Sequence, residues 1–172
     1  MMKNFVAIFV VVIFFVSGCG STEQRGDRGT SSFSFSLDTV DGEIFNSLDI
    51  RGEKHLLIAF WATWCEPCKT ELIKLAEMYP SYSEKVEFIA ISTDTEESLD
   101  RVSMFAIENS LPFPVLIDPA GNTVSTMIPG GETVPYTILI SKTGEVVSRH
   151  TGYKPGDEEI LRREIEELLR NE

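Results

Sequence analysis

The chain has 172 residues, 42% of them hydrophobic, and its 27 Asp and Glu outweigh 15 Lys and Arg to give a formal net charge of −12. That length suits a single core-forming domain. Such acidity opposes binding to nucleic-acid phosphates and repels anionic lipid, so any membrane attachment has to come from an apolar segment or a covalent lipid, not from basic residues.

Lys3 precedes twelve apolar residues, Phe5 to Val16, followed by Ser17-Gly18-Cys19. The run is short of the roughly 20 residues that span a bilayer. Its length and basic flank are those of a secretory signal. Val16-Ser17-Gly18-Cys19 resembles a bacterial lipobox, which implies cleavage before Cys19 and a lipid on its sulfur; the alternative is an uncleaved anchor with an incidental cysteine. This reading makes residues 1–18 a signal peptide, 19–32 a lipidated tether rich in Gly and Ser, and 33–172 the folded domain. A lipidated Cys19 is withdrawn from redox chemistry.

Past the tether, Ser32 to Phe45 reads as a hairpin turning at the favoured dipeptide Asp41-Gly42. Leu56 to Trp61 is continuously apolar, the pattern of a strand covered on both faces. A helix starting near Glu66 aligns Leu72, Leu75, Ala76 and Tyr79, and Pro80 is expected to end it. Val86 to Ile91 is a second buried strand. Asp94 and Glu97 then resemble a capping box for a helix that aligns Leu99, Val102 and Ala106. Val115 to Ile117 is a short strand closed by the turn-rich Asp118-Pro119-Ala120-Gly121-Asn122. Tyr136 to Ile140 and Glu145 to Arg149 follow as strands joined through Lys142-Thr143-Gly144. The last helix, with Asp157 as its N-cap, turns Leu161, Ile165, Leu168 and Leu169 inward.

The chemistry concentrates in Trp61-Ala62-Thr63-Trp64-Cys65-Glu66-Pro67-Cys68-Lys69, where the first buried strand gives way to a helix. Both thiols are expected in the helix's first turn. There the free N–H groups and the positive end of the dipole favour thiolate, the form that attacks disulfides. Two intervening residues allow an intramolecular disulfide. Either a dithiol that opens and closes or a static staple fits these residues. Trp61 and Trp64 are packing aromatics, with Trp64 also walling the site. Zinc is disfavoured, because a structural site needs four ligands and the chain offers one CxxC with His55 and His150 as its histidines. A Sco-type copper protein would need CxxxC spacing. A peroxiredoxin-like peroxidase would need proline at position 58 and threonine at 62, where the chain has Ile58 and Ala62.

The order of elements resembles the thioredoxin fold, and WCEPC preceded by FWATW resembles the extracytoplasmic TlpA/ResA-like thiol-disulfide oxidoreductases. The resemblance covers Phe33 to about Arg170. It implies an α/β thioredoxin-like fold: a central mixed sheet flanked by helices, with an N-terminal hairpin and a helix-containing insertion over Glu96 to Asn109. From the residues alone, Pro112, Pro114, Pro129 and Pro135 are equal candidates for a cis peptide. The resemblance singles out Pro135, in Thr133-Val134-Pro135-Tyr136-Thr137, and gives Val134 the backbone that docks an extended substrate segment. Thioredoxins carry a buried acid six residues before the first cysteine, and here that residue is Ala59. Glu66 or Asp94 could move the proton instead, although the commoner readings are a solvated first-turn acid and a helix cap.

The expectation is therefore a monomeric, lipid-anchored enzyme of the bacterial cell envelope, facing the periplasm or the exterior. Catalysis rests on Cys65 and Cys68, tuned by Trp64, Glu66, Pro67 and Asp94, with Val134 and Pro135 binding substrate. The resemblance implies disulfide-containing exported proteins as substrates, apocytochrome c among them. It also implies a membrane electron donor of the DsbD/CcdA type and no cofactor or metal. The alternatives are a peroxiredoxin-like peroxidase and a binding lipoprotein with a structural disulfide.

Overall fold

A computed structural model describes residues 34–130 and 133–171. The expected signal peptide and tether, with Cys19, lie outside the described residues. In chain order the elements are β1 (Ser36–Asp38), β2 (Ile44–Asn46), β3 (His55–Trp61), α1 (Glu66–Tyr82), β4 (Val86–Ser92), a 3-10 turn (Glu96–Ser98), α2 (Leu99–Glu108), β5 (Val115–Ile117), α3 (Asn122–Met127), β6 (Tyr136–Ile140), β7 (Val146–Thr151) and α4 (Glu158–Arg170).

Five strands form one sheet in the order β5-β4-β3-β6-β7. β3 runs parallel to β4, and β4 to β5, whereas β6 lies antiparallel to both β3 and β7. Every residue of β3 is buried, as its unbroken apolar sequence requires of a central strand with both faces covered. Alternation divides the core. Leu57, Ala59 and Trp61 meet α1, α2 and α4 on one face; Leu56, Ile58 and Phe60 meet α3 and the hairpin on the other. This is the mixed thioredoxin-like sheet with flanking helices.

The hairpin is built differently from the expected two-residue turn. Its loop spans Thr39 to Glu43, closed by Thr39 N donating to Glu43 O at 2.8 Å and Gly42 N to Thr39 O at 3.0 Å. Gly42 takes φ 82°, the left-handed position that follows such a turn and that a side chain resists. Val40 N donates to Val115 O at 2.9 Å, so the hairpin covers the exposed edge of β5.

Two further expectations need correction, one is met in position alone, and one helix was not foreseen. Pro80 does not end α1, which continues to Tyr82. A proline in the last turn costs one main-chain bond, and Tyr79 and Tyr82 pack against the core on either side of it. Asp94 and Glu97 form no capping box: Thr95 precedes the 3-10 turn, and its hydroxyl donates to Glu97 at 2.6 Å. Asp157 is the N-cap residue of α4 as expected, but it caps without a side-chain bond, its carboxylate turning back to accept from Lys154 N at 2.8 Å. Finally, α3 has no counterpart in the sequence reading. Asn-Thr-Val-Ser-Thr-Met favours no helix by composition. Asp118 nucleates it from outside, accepting from Thr123 N and Val124 N at 2.9 Å each while Val124 and Met127 bury.

Candidate active site

β3 ends at Trp61 and the chain turns through Ala62 to Trp64 into α1. Cys65 is the N-cap, with extended backbone at φ −94° and ψ 96°, and Cys68 lies inside the first turn. Only Cys68 is thus within the helix proper. The two sulfurs are bonded, with Cα atoms 5.3 Å apart, and Cys65 Sγ accepts from Cys68 N at 3.3 Å. The cap position therefore points the helix's free N–H groups at the first sulfur, where a thiolate would sit. Cys68 is fully buried and Cys65 is 5% exposed, so an incoming group reaches Cys65 first. Pro67 falls where a missing N–H costs no helical bond.

The side chains singled out by sequence separate into distinct roles. Trp64 is 69% exposed and forms an apolar outer wall beside Cys65. Trp61 is buried, its ring 5.0 Å from that of Phe105, which fastens α2 to the site. Glu66 faces solvent and pairs with Lys69 Nζ at 2.8 Å. Asp94 is buried and holds the loop before Cys65. Its carboxylate accepts from Thr63 N at 2.8 Å, Thr63 Oγ1 at 2.6 Å and Ser92 Oγ at 2.8 Å. The Val134–Pro135 peptide is cis. Val134 packs against the cluster containing both cysteines, and Pro135 O accepts from Gly152 N at 2.8 Å.

Sequence reasoning missed Glu71. It lies one turn beyond Cys68 on the same helix face, is 4% exposed, and accepts from Thr137 Oγ1 at 2.7 Å. Thr137 is the cross-strand partner of Ala59. The small alanine in the centre of the sheet thus leaves the polar position on this face to a carboxyl arriving from α1. Burial pushes Glu71 up to about 7, against the Thr137 hydrogen bond and the nearby His150, which favour its charge. A signal was present: a glutamate among Cys68, Leu72, Leu75 and Met78 occupies the apolar face of a helix, where an unpaired charge is costly.

Beside the cysteine loop, between α1 and α2, opens a groove of about 200 Å³ lined by Thr63, Lys69, Arg101, Met104, Phe105 and Glu108. Among the described residues no cluster of three or more His, Cys, Asp or Glu could hold a metal ion, and no helix is long and apolar enough to cross a membrane.

A model of the AhpC/TSA family matches residues 29–149. The thiol-disulfide oxidoreductase ResA of Bacillus cereus (strain ATCC 10987 / NRS 248) is 31% identical over 180 residues, which cover 99% of this chain and 98% of that protein. ResA of Halalkalibacterium halodurans is 33% identical over 159 residues, or 92% and 86% of the two chains. Among solved structures, a thioredoxin-family thiol:disulfide interchange protein from Chlorobium tepidum TLS superposes with a TM-score of 0.68 at 26% identity, covering 79% of this chain and 93% of that one. Two cysteines at a helix start would by themselves suit a staple as well as a working dithiol; with similarity extending over nearly the full length of ResA, the chain belongs to the AhpC/TSA family and is a ResA-like thiol-disulfide oxidoreductase.

Proposed function

We propose that the protein works as a protein-disulfide reductase, anchored by a lipid on Cys19 and facing outward from the bacterial membrane, with residues 33–172 as its catalytic domain. The observation that carries the reading is the asymmetry of the two sulfurs, one at the open helix cap and one buried a turn from Glu71.

Reduced Cys65 attacks a substrate disulfide as thiolate, bonding one substrate sulfur and releasing the other as a thiolate that takes up a proton. Val134 offers its backbone to the substrate segment that flanks the bond. Cys68 then gives its proton to the Glu71 carboxylate, and its sulfur attacks Cys65 Sγ. The mixed disulfide breaks, the second substrate thiol departs, and the Cys65–Cys68 disulfide remains. Glu66 and Asp94, the two acids considered from sequence, suit this proton transfer less: one is solvated, and the other's carboxylate is committed to Thr63 and Ser92.

Extracytoplasmic compartments are oxidising, so reduction has to be renewed; a membrane electron conduit of the DsbD/CcdA type suits that task. Substrates are disulfide-bearing exported proteins, apocytochrome c among them. A peroxidase on the same fold is disfavoured because Ile58 and Ala62, at the positions where proline and threonine would be needed, are wholly buried apolar residues.

The test is trapping. Cys68→Ser should attack a disulfide substrate and accumulate as a covalent complex on non-reducing gels, whereas Cys65→Ser should accumulate little. Trapping by Cys65→Ser alone would reverse the roles, and absence of exchange by the wild-type protein would return the disulfide to a staple.

A further inference from the structure

Beyond Glu71, the α1 and α4 face of the sheet carries a second polar group that the steps above leave unused. Thr137 on β6 stands directly opposite His150 on β7, and Leu139 opposite Ser148. Leu139 belongs to the cluster packed under α1 and α4, so alternation directs Thr137, His150 and Ser148 to that same face. There Glu164 of α4 meets them: its Oε2 lies 2.8 Å from His150 Nε2 and accepts from Ser148 Oγ at 2.6 Å. The side chains of His150 and Glu164 are 28% and 27% exposed, whereas Glu71 is 4% exposed. An imidazole in contact with water is thereby held in place beside a carboxyl that is not.

The charges facing Glu71 come from several elements. β6 contributes the Thr137 hydroxyl; the segment before α4 contributes Asp157 and Tyr153, the latter bonded to Glu158 of α4; β7 contributes His150, itself paired with Glu164 of α4. On α1 itself, Lys74 points outward to Glu77 at 2.8 Å. The surroundings are therefore acidic, and burial adds to their effect. Against them, the Thr137 hydroxyl and His150 favour a negative charge on Glu71.

We propose that His150, held by Glu164, is a positioning residue for the resolving step: its imidazolium keeps Glu71 ionised, and so able to take the proton of Cys68, in mildly acidic surroundings. This rests on the role given to Glu71 above. No bond to His150 forms or breaks; the proton passes from Cys68 Sγ to a Glu71 oxygen, and the imidazolium acts through its field alone.

The experiment follows decay of the mixed disulfide between full-length reduced protein and a disulfide-bonded peptide, by rapid quench from pH 5.5 to 9. In the wild-type protein the resolving rate should fall on the acid side, through about pH 7 where Glu71 takes up its proton. Glu71→Gln should flatten that limb. His150→Gln should move it to higher pH, slowing resolution about threefold or more at pH 6 while matching wild type above pH 8. His150→Lys, which restores a cation, should return the limb toward its wild-type position. His150→Asn is a second neutral variant should the first fold poorly. A His150→Gln profile that superimposes on wild type, or is lowered equally at every pH, overturns the inference while leaving Glu71 in its role. A limb that persists in Glu71→Gln overturns both.

Discussion

Glu71 is the residue at which burial and chemistry meet. Its carboxyl holds a proton more tightly in the folded protein, at about 7, than the ordinary value of 4.5. A group whose folded value is raised contributes its full stability below the unfolded value and loses it as pH rises through the folded one. The oxidised protein should therefore lose about 3 kcal/mol from this group between pH 4.5 and 7. Urea titrations across that range check it, with Glu71→Gln showing the shallower dependence; parallel curves for the two proteins would mean that the carboxyl is better solvated than its burial indicates. Glu66 acts from the outside. Its charge beside Cys65 opposes the helix-end preference for thiolate, although the Lys69 partner offsets part of that. A potential near −270 mV is expected, far from the roughly −120 mV of a DsbA-type oxidant, and Glu66→Gln should raise it by no more than about 30 mV. Titration in glutathione buffers measures both, and a wild-type value at the oxidant end would reverse the assignment to reductase.

At the scale of elements, the site is a junction between the end of β3, the start of α1 and the end of β4. Asp94 ties these together by taking three donors from Thr63 and Ser92 on one carboxylate. Asp94→Ala leaves those donors unpaired and should cost about 2–3 kcal/mol, with Asp94→Asn costing less because one acceptor remains. Chemical denaturation of both variants gives the comparison; an alanine variant within about 0.5 kcal/mol of wild type would make the junction self-supporting. The strands and the longer helices were legible because their apolar periods are long. Asp94 read as a helix cap because an Asp-x-x-Glu pattern looks the same whether its acid faces the next helix or turns back to a loop 31 residues earlier. The short α3 left no periodic signal at all, since a carboxylate outside it supplies the nucleus.

For the whole molecule, charge and attachment belong together. With a net charge of −12 the protein gains nothing from anionic lipid headgroups, and an acylated Cys19 would supply what the surface does not. Cys19→Ala should abolish incorporation of labelled fatty acid and processing at that site in cells. Labelling that persists at the wild-type level would remove the lipid anchor from the proposal.

The sequence alone indicated the succession of strands and longer helices and the Cys65–Cys68 pair at a strand-to-helix junction, and the family motif singled out Pro135. The elements and the cysteine pair are local matters, set by apolar period, turn chemistry and spacing along the chain, whereas Pro135 follows from the resemblance, the residues alone leaving four prolines equal. Which acid stands near the buried thiol was settled by the fold. Glu66, Glu71 and Asp94 are alike as residues, and they differ in what folding places around them: water and Lys69 for the first, Thr137 and the core for the second, Thr63 and Ser92 for the third. The pairing of Ala59 with Thr137, from strands nearly eighty residues apart, leaves the polar position open to Glu71. Desolvation is a property of surroundings assembled from distant segments, so no local pattern records it.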